Sequence, residues 1–164
     1  MAGSANLNVM MKIARKAGRG LVKVFGEVEN LQVSAKGPGD FVSRADKVAE
    51  ALIREELMQA RPSYGFLGEE GAEIEGDDPT RRWIVDPLDG TKEFIKRRGE
   101  FTVNISYVVD GVSVRGVVYA PAIGRMFFTQ ADGITVHEEG PFDKAQVGQT
   151  KILRVSNPDN AACM

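Results

Sequence analysis

The amino-acid sequence predicts an α+β domain, two helices laid on one face of a largely antiparallel sheet. Three observations carry that expectation. Two stretches ahead of Pro62 space their apolar residues as helices do. The period then shortens to that of strands. The later strand candidates are separated by tight turn signals rather than by helices.

In the first stretch, Asn6 to Phe25, Leu7, Met10, Met11, Ile13, Ala14, Ala17, Leu21 and Val24 recur at helical spacing, and Gly18 and Gly20 weaken the helix or permit close packing. The run Lys36-Gly37-Pro38-Gly39-Asp40 reads as a breaker. Ser43 then opens an S-x-x-D pattern suited to a helix N-terminus, ahead of Val48, Leu52, Ile53 and Leu57 on one face, with Pro62 marking the end.

Tyr64 to Leu67 follows as a short strand running into Gly68-Glu69-Glu70, and the acidic stretch Gly71 to Thr80 reads as a loop. Trp83 to Val85 is a short, wholly apolar strand. Phe101 to Val109, Val112 to Tyr119, Arg125 to Thr129 and Ile134 to Glu138 are strands, with Asp110-Gly111, Ala122-Ile123-Gly124 and Asp132-Gly133 as turns between them. Gly140 to Thr150 is irregular, and Lys151 to Val155 is a last short strand.

Length and composition fit one globular domain of 164 residues, 43% apolar and 27% charged. A net charge of -2 speaks against a nucleic-acid partner, and the short basic run Lys96-Arg97-Arg98 reads as a solvated face. The single cysteine, Cys163, excludes an internal disulfide framework and fits a reducing compartment. The single histidine, His137, sits in an alternating stretch and reads as an exposed strand residue, which leaves Ser–His and Cys–His catalysis without support. No apolar run approaches the ~20 residues of a membrane span, and the N-terminus lacks a signal-peptide core, so the expectation is a cytoplasmic protein with no membrane partner.

The chemistry concentrates where two apolar strands end. Glu69 and Glu70 follow one, Asp86 and Asp89 the next. If the strands are neighbours, several carboxylates meet, and such a cluster must hold protons or metal ions. With no usable cysteine or histidine, hard oxygen ligands favour Mg²⁺, with Mn²⁺ as the other candidate. A helix starting at Gly90-Thr91 would turn backbone N–H groups towards an anion, and the Thr91 hydroxyl would orient a water. Metal, phosphate and oriented water together make a phosphomonoesterase. A structural turn bearing surface acids, or a metal-dependent binding module, fits the same residues.

Asp46, then Gly68-Glu69-Glu70, then Trp83-Ile84-Val85-Asp86-Pro87-Leu88-Asp89-Gly90-Thr91 resemble, in order and spacing, the pattern of the inositol monophosphatase superfamily, magnesium-dependent and lithium-sensitive phosphatases. The resemblance runs from residue 5 essentially to the end. It implies that Asp86 bridges two of the family's two or three ions, that Glu69 and the Leu88 carbonyl hold one of them, and that Asp89 serves the second. It implies further that Asp46 and Thr91 pair to activate the attacking water, with Glu69 also among the catalytic groups. Gly90 and Thr91 would hold the phosphate through their N–H groups, Lys36 would stand near the substrate, and Glu70 would act one step removed. The ions acidify the water and neutralise the phosphate in such a scheme, and Li⁺ would inhibit by competing for the second position.

Residues 5 to about 90 resemble bacterial inositol-1-monophosphatases, whereas TKEFIKRRGEFTVNI, GVVYAPAIGRMFF and GPFDKAQVG resemble the 3'(2'),5'-bisphosphate nucleotidase branch. The family's later W-D-x-x-A-G segment does not occur in these 164 residues. Its aspartate would complete the second ion's ligands, and most residues gripping the ring would lie in the same half. The resemblance therefore implies that residues 1–164 form the N-terminal metal- and phosphate-binding domain of the layered αβαβα sugar-phosphatase fold, with the C-terminal domain absent. The substrate would be a small phosphorylated molecule, an inositol phosphate or 3'-phosphoadenosine 5'-phosphate, acted on by a homodimer. An inactive, truncated or mosaic metal-binding fragment is the alternative.

Overall fold

A computed structural model describes residues 2–27, 37–130, 135–139 and 149–153. Helix α1 (Ala2–Glu27) buries Leu7, Met10, Ile13, Ala14, Ala17 and Leu21, the stripe its spacing predicts. Helix α2 (Gly37–Ala60) begins well before Ser43, which lies inside it. Pro38 explains the difference. In the first turn of a helix its missing N–H would have had no partner, so the glycine–proline run starts α2 instead of breaking the chain.

The buried face of α2 also departs from expectation. Val42, Asp46, Ala49, Glu50, Ile53 and Leu57 point inwards, while Val48 is 68% exposed. Val48 instead lines an apolar groove of about 370 Å³ between α1 and α2, together with Val24, Phe41 and Leu52. An apolar stripe drawn by hydrophobicity alone misses a face that contains two carboxylates.

Eight strands form one mixed sheet, β1 (Tyr64–Gly68), β2 (Glu73–Ile74), β3 (Asp78–Asp89), β4 (Thr102–Val109), β5 (Val112–Ala120), β6 (Arg125–Thr129), β7 (Thr135–Glu139) and β8 (Gln149–Leu153), in the order β2-β1-β3-β4-β5-β6-β7-β8. Every neighbouring pair is antiparallel except β1 and β3. The Asp110-Gly111 hairpin joins β4 to β5 with both residues at positive φ, 50° and 80°, as a tight turn requires. Strand β8 begins at Gln149, so Gln149 and Thr150, expected to be irregular, are in a strand; residues 131–134, 140–148 and 154–164, including Asp132-Gly133 and Val155, lie outside the described residues.

Two corrections concern the polar ends of strands. The stretch Gly71 to Thr80 contains the edge strand β2 and the start of β3, and β3 extends far beyond Trp83 to Val85. Thr80, Arg81 and Ile84 of β3 face solvent while Trp83 and Val85 face the helices. The strand is polar where only one face needs to be apolar.

Both helices cover the same side of the sheet, over Trp83, Val85, Val103, Ile105, Val117, Tyr119 and Val136. An aromatic cluster sits beside the short helix α3 (Thr91–Ile95), where the buried Phe94 ring lies 5.3 Å from Phe25 and 4.7 Å from Phe101. That anchor fixes α3 against the sheet. No helix among the described residues is long and apolar enough to cross a membrane.

Candidate functional site

Strands β1 and β3 run parallel, with Leu67 beside Ile84 and Gly68 beside Val85. They consequently deliver Glu69 and Asp86 to the same edge of the sheet, the carboxyl end of a parallel pair, where open sheets place their ligands. The Glu69 N–H donates to the Val85 carbonyl at 3.0 Å, extending the pairing by one step. A cleft of about 300 Å³ opens there, lined by Leu67, Gly68, Glu69, Ile84, Val85 and Asp86.

Asp86 and Asp89 are an odd number of residues apart, and in a regular strand they would point to opposite faces. The ladder with β4 removes that difficulty. Asp86 pairs with Asn104 and Asp89 with Thr102, so three steps on β3 oppose two on β4, and the register shifts between them. Pro87 and Leu88 form this bulge, which needs no ladder hydrogen bond from the proline. Asn104 and Thr102 share a face, and the bulge returns Asp89 to the face of Asp86. Asn104 Nδ2 accordingly reaches Asp89 Oδ2 at 3.5 Å.

The turn beyond is built from its own residues. The Leu88 N–H donates to Asp86 Oδ1 at 3.1 Å, and Thr91 Oγ1 donates to the Leu88 carbonyl at 3.3 Å. Gly90 adopts φ 89°, and a Cβ there would stand 2.9 Å from the Glu100 carbonyl oxygen. Only glycine fits. Phe94 N–H donates to the Gly90 carbonyl at 2.9 Å, closing the first turn of α3.

Asp46 reaches the same place from the interior of α2, 7% exposed. Burial, then the charge of Glu70, a hydrogen bond shared with it, and the charges of Asp86 and Glu69 push its carboxyl up to about 7. Asp86 is pushed up to about 7 by burial, by a hydrogen bond with Glu69 and by the charges of Glu69 and Asp89. The carboxylates thus adjoin in pairs, Asp46 with Glu70 and Asp86 with Glu69, although among the described residues no three such groups form a closed ligand shell.

Asp46 Oδ1 is buried with no hydrogen-bond partner. A buried oxygen without a donor, beside carboxylates that raise one another's proton affinity, lacks positive charge. An all-oxygen group of this kind fits a hard divalent cation such as Mg²⁺ or Mn²⁺. The residues present therefore fit the metal that the sequence implies.

The structure brings Asp46, Glu69, Glu70 and Asp86 together, with Leu88, Asp89, Gly90 and Thr91 on the adjoining turn. The Thr91 hydroxyl goes to Leu88 and not to Asp46. Lys36 lies outside the described residues. His137 is not the exposed residue its alternating stretch suggests. Its side chain is 13% exposed and stacks on Phe127, with ring centroids 4.6 Å apart. One residue of the site escaped sequence reasoning altogether. Glu50, 4% exposed, accepts hydrogen bonds from the N–H groups of Glu70 at 2.8 Å and Ala72 at 3.3 Å. Its spacing one turn beyond Asp46 was the available signal.

A sequence profile of the inositol monophosphatase family matches residues 4–162. An inositol-1-monophosphatase of Rhizobium meliloti is 53% identical over 133 residues, which are 81% of this chain and 50% of that protein. Among solved structures, the extragenic suppressor protein suhB of Bartonella henselae superposes with a TM-score of 0.70 at 49% identity, covering 80% of this chain and 51% of that one. CysQ of Bacteroides thetaiotaomicron, described as a bacterial member of the inositol monophosphatase family, gives 0.68 at 32% identity over 87% of this chain and 53% of its own. The chain spans about half the length of the relatives it matches.

Proposed function

The chain belongs to the inositol monophosphatase family, and from that premise we propose that its carboxylate edge serves Mg²⁺-dependent, Li⁺-sensitive hydrolysis of phosphate monoesters of the inositol 1-phosphate type. One observation carries the proposal. Acidic groups from α2, from the turn after β1 and from β3 meet at one edge of the sheet, where burial and their mutual charge push the carboxyls of Asp46 and Asp86 up to about 7, an arrangement that stability alone does not favour.

Each residue has a role in this reading. Glu69, Asp86 and the Leu88 carbonyl would hold a first ion, and Asp86 and Asp89 would contribute to a second. When bound, the ions supply the Lewis acidity and positive charge that phosphoryl transfer needs. Asp46 and Thr91 orient the attacking water, with the unpartnered Asp46 Oδ1 as the acceptor of its proton. The N–H groups of Gly90 and Thr91 receive the phosphate, with Lys36 as the further substrate-binding candidate. The domain is the N-terminal, metal- and phosphate-binding part of a two-domain protein, cytoplasmic in keeping with its single cysteine, and acts as a homodimer.

A 3'(2'),5'-bisphosphate nucleotidase is the second reading, favoured by Glu93 and by the nucleotidase-like text from Thr91 onward. Phosphate release from inositol 1-phosphate and from adenosine 3',5'-bisphosphate, measured with and without Mg²⁺ and then with Li⁺, separates the two. Mg²⁺-dependent, Li⁺-sensitive turnover of the first supports the proposal, and preference for the second substrate supports the alternative. A folded chain that binds Mg²⁺ and turns over neither is the metal-binding fragment.

A further inference from the structure

We infer that Glu50 is a positioning residue of the metal site, holding the Gly68-Glu69-Glu70 turn at the distance from Asp86 that a cation requires. The inference rests on the metal-site reading above and deepens it.

Asp46 and Glu50 stand one turn apart on α2, both nearly buried at 7% and 4% exposed. Their surroundings differ. Asp46 meets other carboxylates, with one oxygen unpartnered. Glu50 meets backbone donors, Glu70 N–H at 2.8 Å on Oε2 and Ala72 N–H at 3.3 Å on Oε1. Each oxygen of the Glu50 carboxyl group thus already accepts a backbone N–H, which ties the side chain to the turn.

The turn closes around it. The Gly68 N–H donates to the Ala72 carbonyl at 2.7 Å, and the Gly71 N–H to the Gly68 carbonyl at 3.3 Å. A Cβ added at Gly68 would collide with the Glu50 carboxyl group. The glycine of Gly-Glu-Glu is therefore needed for the approach of Glu50, and Glu50 in turn fixes the backbone that carries Glu69 and Glu70. Without it the backbone of the turn would keep the Glu69 N–H bond to Val85 but lose its two bonds to α2.

Residues that orient metal ligands typically change metal affinity about 10- to 100-fold when removed. Calorimetric Mg²⁺ titration of the wild-type chain, Glu50→Ala, Glu50→Gln and Ile53→Ala tests the assignment. Ile53 is fully buried on the same helix and has an apolar side chain that cannot accept the turn's N–H groups, and so controls for loss of stability alone. Glu50→Ala should weaken Mg²⁺ at least tenfold. Glu50→Gln, which retains one oxygen acceptor and the volume, should fall between it and the wild type, while Ile53→Ala stays within twofold. Amide exchange at Glu70 and Ala72 should quicken in both Glu50 variants and not in Ile53→Ala. Unchanged Mg²⁺ affinity in Glu50→Gln, or equal weakening in Ile53→Ala, overturns the positioning role and leaves the metal site standing. Failure of the wild type to bind Mg²⁺ overturns the metal site and the positioning role together.

Discussion

Asp86 sits among the acids of the cleft, in charge contact with Glu69 and Asp89. Replacing it with asparagine removes a charge from a cluster that lacks compensation. Asp86→Asn should therefore abolish Mg²⁺ binding and any phosphate release, while raising the melting temperature of the metal-free chain above pH 7. Calorimetry with and without Mg²⁺ checks both, and retained turnover would remove Asp86 from the mechanism. The pH dependence has a definite sign. Asp46 and Asp86 titrate near 3.8 when unfolded and at about 7 when folded, so the folded state binds more protons in between. Their contribution is fully present below about pH 4 and is lost as pH rises to about 7. Thermal scans of the metal-free chain from pH 5 to 8 should show a falling midpoint, with Mg²⁺ restoring it at the upper end and releasing protons as it binds. Glu69, Asp86 and Asp89 were legible in the sequence because each follows an apolar strand, whereas Asp46 was marked as a site residue only by the family resemblance. Glu50 was not, since its partners are backbone groups 20 and 22 residues away, and its spacing from Asp46 puts the two on one helix face without naming those partners.

Elements place these residues, and α2 is the clearest case. Its inward face carries Asp46 and Glu50 among Val42, Ala49, Ile53 and Leu57, whereas Val48 faces out. Ile53→Ala should cost about 2–5 kcal/mol of stability and Val48→Lys less than about 0.5 kcal/mol, as denaturant titration would measure. The reverse order would restore the face drawn from hydrophobicity. Gly90 sets the join of β3 to α3. Gly90→Ala should cost roughly 1–3 kcal/mol by forcing a side chain into positive φ against the Glu100 carbonyl, and should lower turnover more than Mg²⁺ affinity. The existence and type of the two long helices and of the hairpin strands followed from period and turn chemistry. The extent of β3 did not, because its exposed face is polar and its end contains a proline. The parallel pairing of β1 with β3 was also hidden, since the segment joining them is short and holds only the edge strand β2.

Across the whole molecule the sheet has two unlike sides. Both helices lie on one, while the other leaves Ile84 39% and Val118 40% exposed, next to the Phe127–His137 stack. Apolar surface of this kind drives association. Sedimentation of the chain should show concentration-dependent self-association, and Ile84→Lys with Val118→Lys should abolish it without loss of folding. A monomer at all concentrations would leave that face inert. The same two-sidedness gives the bulge at Pro87-Leu88 a meaning beyond its shape. In a pleated strand odd and even positions belong to different compartments of the molecule, so a count of residues acts as a parity bit. The extra residue between Asp86 and Asp89 flips that bit once, and an odd separation in the text becomes an even one in space. Deleting Leu88 would flip it back, keeping every aspartate in the chain and sending Asp89 to the wrong side of the sheet.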